Sequence, residues 1–205
     1  MIELVATPIG NLEDLSPRAR AAFEAADVVA CEDTRRTGRL LSAAGVKTRM
    51  VAYHEHNERQ MAGTLVRAAA RAGVPVSMVP GPVAFVMAAV LSGLPVHGIT
   101  YRGFAPKKSG PRRRFLEVDV ASPHTLVFYE SPYRVAKLVE DAIAVFGDRP
   151  AAFARELTKL HEEVVRGRLS ELAAELERRG GQLVGECCVV IAGAEVPHDW
   201  FETDG

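Results

Sequence analysis

The sequence predicts an α/β protein in two parts, and three observations predict it. Short apolar runs alternate with amphipathic stretches through residues 2–91, the rhythm of a parallel sheet covered by helices. The rhythm then breaks in a Gly-, Pro- and aromatic-rich stretch from Gly93 to Pro106. Finally, 205 residues, 48% hydrophobic and 25% charged, suffice for two cores and exclude whole-chain disorder. The expected parts are an N-terminal domain over 1–95, a C-terminal domain over 96–197 and a polar tail over 198–205.

The elements follow in order. Ile2–Ala6 is an apolar run and reads as a buried strand. Ser16-Pro17 opens a helix, with serine as N-cap and proline at the first helical position; Ala19, Ala22, Phe23 and Ala26 form its apolar stripe. Asp27–Cys31 reads as a strand, Thr34–Ala44 as a helix stopped by Gly45, and Met50–Tyr53 as a strand. Asn57–Ala72 reads as a helix, Val74–Val79 as a strand and Pro82–Leu91 as a buried helix. Beyond the break, 107–114 reads as a basic loop with five positive charges in eight residues. Thr125–Tyr129 is a strand, and Ser131-Pro132 repeats the capping signal for a helix to Phe146. Ala151–Arg155 and Glu163–Arg166 read as strands, Ser170–Arg179 as a helix and Glu186–Ala192 as a last strand.

Composition removes several functions. A net charge of −1 gives no global attraction to nucleic acid or anionic lipid, so such binding needs a local patch. No apolar run has the length of a membrane span, and Met1–Ala6 lacks the pattern of a secretory signal. Three cysteines, Cys31, Cys187 and Cys188, make no disulfide framework and no zinc spacing, as expected of a cytoplasmic protein. There is no Gly-x-Gly-x-x-Gly after a strand, no P-loop and no Gly-x-Ser-x-Gly elbow.

Parallel sheets bind ligands beyond the carboxyl ends of their strands. Those positions hold Thr7-Pro8-Ile9-Gly10-Asn11, Glu32-Asp33-Thr34-Arg35-Arg36, His54-Glu55-His56-Asn57-Glu58, Pro80-Gly81-Pro82, Tyr129-Glu130-Ser131-Pro132 and Ala154-Arg155-Glu156-Leu157-Thr158-Lys159. Each also has a plainer use. The first is an ordinary tight turn, and Thr34 suits a helix cap. His54 and His56 lack a third ligand of matching spacing, so no metal site is expected. The basic run suits either a solvated loop or phosphate contact. The residues alone end at a two-domain α/β protein with a polar cleft, suited to an anionic or RNA substrate.

Val5-Ala6-Thr7-Pro8-Ile9-Gly10-Asn11-Leu12-Glu13-Asp14-Leu15, Glu32-Asp33-Thr34-Arg35 and His56-Asn57-Glu58 occur in that order. Val79-Pro80-Gly81-Pro82, Gly103-Phe104-Ala105-Pro106-Lys107-Lys108, Tyr129-Glu130-Ser131-Pro132 and Ala154–Lys159 follow. The series resembles the ribosomal RNA small subunit methyltransferase I branch of the tetrapyrrole-methylase superfamily, over residues 2 to about 193. The resemblance implies a mainly parallel N-terminal sheet, a mixed C-terminal sheet and a cleft between them for S-adenosylmethionine. It implies 2′-O-methylation of a cytidine in the decoding region of 16S ribosomal RNA, by a homodimer with no membrane association. A small tetrapyrrole substrate and a non-catalytic RNA-binding relative are the alternatives. By the same resemblance, Glu130, Arg155 and Lys159 are the catalytic candidates. Pro8, Gly10, Asp33, Pro80, Gly81, Pro82, Tyr129 and Ala154 are the cofactor contacts. Arg35, Arg36, Lys107, Lys108, Arg112, Arg113 and Arg114 are the RNA-phosphate contacts.

The sequence departs from that pattern in two places. Val83 stands where the family more often has a small polar or thiol residue. More seriously, a strand and a Ser-Asp-Ala-Gly-Thr-Pro-like loop are missing between Leu65 and Val66. An interior strand cannot be lost cheaply, because its neighbours keep unpaired backbone groups. Three arrangements avoid that cost. The neighbours pair directly, a second chain donates a strand, or a further segment belongs between Leu65 and Val66. The intact flanking motifs point to the last.

Overall fold

A computed structural model describes residues 1–52, 66–180 and 183–202. Its contacts divide the chain into two units, Met1–Pro82 and Val83–Gly205.

The first unit holds β1 (Ile2–Val5), α1 (Pro17–Ala25), β2 (Val29–Cys31), α2 (Thr34–Ala43), β3 (Met50–Ala52) and β4 (Val76–Val79). Residues 66–71 are helical. The expected start of α1 is present: Ser16 Oγ accepts the Ala19 N–H at 3.1 Å, with Pro17 in the first turn. After α2 the chain turns at Gly45, whose φ of 71° favours glycine. Phe23, Val29, Leu40, Leu41 and Val46 form the core, with Val5 and Met50 packed on it.

The strand pairing described in this unit is parallel, as the alternating pattern implies. Among the described residues it is nevertheless split into two pairs, β1 with β4 and β2 with β3. Parallel sheets are ordinarily covered on both faces. Here Met78, inside β4, is 60% exposed, and Ala30 and Ala52 are exposed as well. The expectation of a further segment between Leu65 and Val66 falls on Leu65, which lies outside the described residues. Direct closure of the remaining strands into one sheet is not what the described residues show.

The second unit is built on one five-stranded mixed sheet. Its elements are α3 (Ala84–Ser92), β5 (Ile99–Phe104), α4 (Ser109–Glu117), β6 (Thr125–Glu130), α5 (Val135–Phe146), β7 (Pro150–Arg155), β8 (Glu163–Arg168), α6 (Leu169–Arg178) and β9 (Cys187–Ile191). The strand order is β5-β6-β9-β7-β8, with β5 and β6 parallel and the other neighbours antiparallel. One face carries Phe128, Phe153, Cys187 and Val189 against Leu116, Leu138, Leu172 and Leu176 of α4, α5 and α6. The other carries Val127, Ala152, Ala154, Cys188 and Val190 against Ala88 and Ala89 of α3.

Several elements differ from expectation. The division falls between Pro82 and Val83 and not near 95, because α3 is apolar on all sides and packs on β6, β9 and β7. The basic stretch is a helix, α4, and not a loop. Helix α5 starts at Val135, with no side-chain cap, and not at Pro132. Described residues of the polar tail are tied down: Trp200 Nε1 donates to Gly93 O at 3.0 Å, and a ring nitrogen of His198 lies 3.1 Å from Asp148 O.

Candidate functional site

In the first unit, β1 and β4 end together. Val5 pairs with Val79, and the Ala6 N–H donates to Val79 O at 3.0 Å. Parallel pairing therefore sends the loops 7–11 and 80–82 out side by side, which brings Pro8 and Gly10 to the same edge as Pro80, Gly81 and Pro82. The approach is close: a Cβ on Gly81 would lie 2.9 Å from Ala6 Cβ, so the position requires glycine. Gly10, Pro80 and Gly81 are exposed, and Pro8 and Pro82 are half-buried. Proline has no N–H, so Pro80-Gly81-Pro82 offers three carbonyl acceptors and one donor. An edge rich in acceptors suits a cationic ligand with amine donors better than a phosphate.

Asp33 is placed differently. It is the N-cap of α2, with Oδ1 accepting the Arg35 N–H at 2.8 Å and the Arg36 N–H at 3.3 Å. Those two backbone hydrogen bonds, Arg35's first, hold its carboxyl below the usual aspartate value. Asp33 thus takes the capping role expected of Thr34, which is the first helical residue. Arg35 and Arg36 are exposed on the first turn, with Arg35 Nε 3.5 Å from Asp33 Oδ1. The segment His54–Glu58 lies outside the described residues.

In the second unit, β5, β6 and β7 run the same way and end on one edge of the sheet. Side chains alternate between faces along a strand. Tyr129 and Ala154 belong to the face covered by α3, whereas Glu130 and Arg155 belong to the opposite one, so the sheet separates the first two from the second two. Tyr129 accepts the Phe85 N–H on its hydroxyl at 3.0 Å, and burial pushes the phenol up to about 12. Its ring meets Tyr101 edge-on at 5.1 Å, and Tyr101 stacks on Phe85 at 4.5 Å. Ala154 has no exposed surface, which corrects its expected contact with a cofactor.

Glu130 is likewise closed off. Its side chain is fully buried, Oε1 accepts the Ser131 N–H at 2.7 Å and pairs with Arg134. Oε2 is buried with no hydrogen-bond partner among the described residues. What the structure gives Glu130 is a holding role at the end of β6, on Ser131 and Arg134. Arg155 is committed too, donating from Nε to Glu163 Oε2 at 2.6 Å, while Arg179 grips the same carboxylate at 2.8 Å. Hydrogen bonds from Arg179 and then Arg155, with their charges, outweigh burial and lower Glu163 to about 2.

Lys159 keeps a position suited to chemistry. It lies past the end of β7, in a turn where Glu156 and Thr158 have φ of 50° and 66°, rare for residues other than glycine. Its Nζ donates to Glu156 Oε1 at 2.9 Å and lies 3.5 Å from Glu186 Oε2. Burial would lower the ammonium, but Glu156 and Glu186 outweigh it and raise it above the ordinary lysine value. Lys159 is therefore a fixed cation at neutral pH and no base.

The basic run divides in the same way. Arg112 is 2% exposed and donates to Asp141 Oδ2 and to the carbonyls of Pro106 and Lys107. That burial corrects its expected contact with RNA phosphate. Arg113 is half exposed but pairs with Asp141 Oδ1 at 2.6 Å. Lys107, Lys108 and Arg114 are exposed. Sequence reasoning missed Asp141, although an acid directly before Ala142 and three residues after Leu138, on the buried side of the helix, was a readable signal.

The model of the family Tetrapyrrole (Corrin/Porphyrin) Methylases matches residues 60–173. A ribosomal RNA small subunit methyltransferase I of Micromonospora olivasterospora is 42% identical over 224 residues, covering 95% of this chain and 71% of that protein. The protein of the same name in Xylella fastidiosa (strain Temecula1 / ATCC 700964) is 38% identical over 222 residues, covering 94% and 81%. Both matched spans exceed the 205 residues of this chain, so these relatives carry residues inside the match that this chain lacks. Among solved structures, diphthine synthase aligns with a TM-score of 0.67 at 15% identity, over 94% of this chain and 90% of that one. Cobalt precorrin-4 methyltransferase aligns with a TM-score of 0.59 at 16% identity, over 95% and 96%. At these identities the two structures speak for the fold.

Proposed function

Because the chain belongs to the tetrapyrrole methylase family, in its ribosomal RNA small subunit methyltransferase I branch, we propose that it methylates 16S ribosomal RNA. The substrate atom is the 2′-hydroxyl of a cytidine ribose in the decoding region, and the donor is S-adenosylmethionine. The observation that carries the reading is the 37–42% identity over nearly the whole chain to proteins of that name. The chain works in the cytoplasm as a homodimer, and among the described residues no helix is long and apolar enough to cross a membrane.

The residues present fit the donor. The acceptor-rich Pro80-Gly81-Pro82 loop, with Pro8 and Gly10 beside it, would hold its cationic methionine part. When bound, S-adenosylmethionine supplies an electrophilic methyl group. Transfer to a ribose oxygen needs alignment above all, and little covalent help. The products would be the methyl ether and S-adenosylhomocysteine, with the hydroxyl proton passing to solvent water; Lys159, held charged by Glu156 and Glu186, takes no proton and would stabilise negative charge on a substrate oxygen. Exposed Lys107, Lys108, Arg114, Arg35 and Arg36 bind RNA phosphates.

The test is transfer of labelled methyl from S-adenosylmethionine to small ribosomal subunits lacking the modification, with the product located by nuclease digestion and mass spectrometry. Label on the 2′-oxygen of a decoding-region cytidine is the expected result, and label on tetrapyrroles alone would overturn it. A second reading, a non-catalytic RNA-binding relative, draws support from the split pairing of the first unit. Calorimetry separates the two, because the second reading predicts no heat with S-adenosylmethionine or S-adenosylhomocysteine.

A further inference from the structure

Tyr133 is 80% exposed, on the turn that leaves β6 for α5. Loops that show a large ring to water are often loosely held, but this one is pinned on both sides of the ring. Glu130 reaches out of the buried end of β6 to accept the Ser131 N–H at 2.7 Å and to pair with Arg134. Ser131 O accepts the N–H groups of Arg134 at 2.9 Å and Val135 at 3.1 Å, and Ser131 Oγ accepts the Tyr133 N–H at 3.4 Å. The ring is thus carried on a backbone fixed from within, and nothing in the unit's two cores uses it.

Exposed lysines stand on the helix that follows Tyr133 and at the start of the helix packed on it. Lys137 is exposed one turn into α5. Asp141 lies a further turn along the same face and takes Ser109, Arg112 and Arg113 of α4. That contact sets the start of α4, with exposed Lys107 and Lys108 just before it, beside the first turns of α5. Glu140 is the exposed acid of α5, farther along the helix than Lys137.

A rigid exposed aromatic on a unit that also shows exposed lysines is the chemistry that binds single-stranded nucleic acid. Every base has a π-face to stack, and the cations follow the phosphates. We propose that Tyr133 stacks on an unpaired base of the RNA substrate while Lys107, Lys108 and Lys137 contact the flanking phosphates. The inference rests on the RNA reading proposed above and adds to it a recognition residue that performs no chemistry.

The test uses the full chain, a short single-stranded RNA carrying 2-aminopurine, and whole small subunits. Tyr133→Ala should weaken oligonucleotide binding about 5- to 100-fold and abolish quenching of the probe. Tyr133→Phe should keep both, and Tyr133→Leu, of similar apolar bulk, should not. The salt slope should stay unchanged, since the ring is neutral. Unaltered binding by Tyr133→Ala would overturn the proposal, as would a slope that falls with the affinity, which would mean the loop had rearranged. Weaker binding to subunits alone would assign Tyr133 to a ribosomal protein and overturn it too. Wild-type protein that binds neither RNA would overturn the RNA reading itself, and the stacking role with it.

Discussion

Arg112 and Asp141 form a buried ion pair, Nη2 to Oδ2 at 2.6 Å, that fastens α4 to α5. Both side chains are less than 5% exposed, and Arg113 and Ser109 add hydrogen bonds to the same carboxylate. A pair of this kind costs much to bury, and removing Arg112 leaves Asp141 Oδ2 without its partner inside the fold, with Arg113 and Ser109 holding only Oδ1. Arg112→Ala should therefore destabilise the protein by about 1–3 kcal/mol, while Arg114→Ala should change stability by less than about 0.5 kcal/mol. Denaturant unfolding checks both. Equal effects would contradict the division of the basic run into a structural and a solvent-facing part.

The RNA contacts of this run should then belong to the residues that face water. Lys107→Ala, Lys108→Ala and Arg114→Ala combined should weaken binding to small subunits and flatten its salt dependence by roughly 0.7–0.9 for each phosphate left without its cation. Thermal stability should barely change. Binding measured across a salt series decides the matter, and an unchanged slope would return the run to plain solvation.

Acid should loosen the far side of the sheet. Arg179 and Arg155 hold Glu163 at about 2 against an ordinary 4.5. A carboxyl depressed on folding contributes stability that is complete above its unfolded value and is lost as pH falls through the folded one. The Glu163 contribution should be intact above pH 4.5 and fade toward pH 2. Glu163→Gln should lose about 1–3 kcal/mol at neutral pH and show a flatter acid limb. Urea unfolding at a series of pH values would reveal a parallel limb if the network contributes nothing.

The two units should also differ in how readily they open. Cys31 is half-buried in the short β2–β3 pair, while Cys187 and Cys188 are buried in the middle of the five-stranded sheet, where burial pushes both thiols up to about 12. A maleimide should label Cys31 promptly and the adjacent pair only on unfolding. Amide exchange should likewise be faster in β1–β4 and β2–β3 than in β6 and β9. Uniform protection across both units would show that the first one is completed by something outside the described residues.

Much of the first unit was legible because its local signals agree with its fold. Ser16-Pro17 starts α1 and Gly45 follows α2, as their chemistry requires. The second unit hid two elements behind unfavourable local sequence. Strand β5 contains Gly103, at φ 65°, in a register shift that breaks its alternation. Helix α4 begins Ser-Gly-Pro and continues with three arginines, a weak helical sequence held by Asp141 on another element. Ser131-Pro132 misled in the other direction, because the hydrogen bonds of Ser131 serve the turn and the helix waits until Val135. The candidate site suffered from a rule that needed no structure. Tyr129 and Glu130 are neighbours on one strand, as are Ala154 and Arg155, so neither pair could face one ligand together.

The place of β9 has a consequence for the order in which the protein is made. This strand comes last in the sheet's sequence and lies between β6 and β7, pairing with both. Strand β6 can pair with β5 and β7 with β8 earlier, but neither has its second partner until residues 187–191 have left the ribosome, so the second unit cannot complete its fold while its chain is still being synthesised up to that point. Until then β6 and β7 carry open apolar edges, the kind of surface that aggregates or engages a chaperone. A nascent chain stalled before Cys187 should remain sensitive to protease, and one stalled well past Ile191 should resist it.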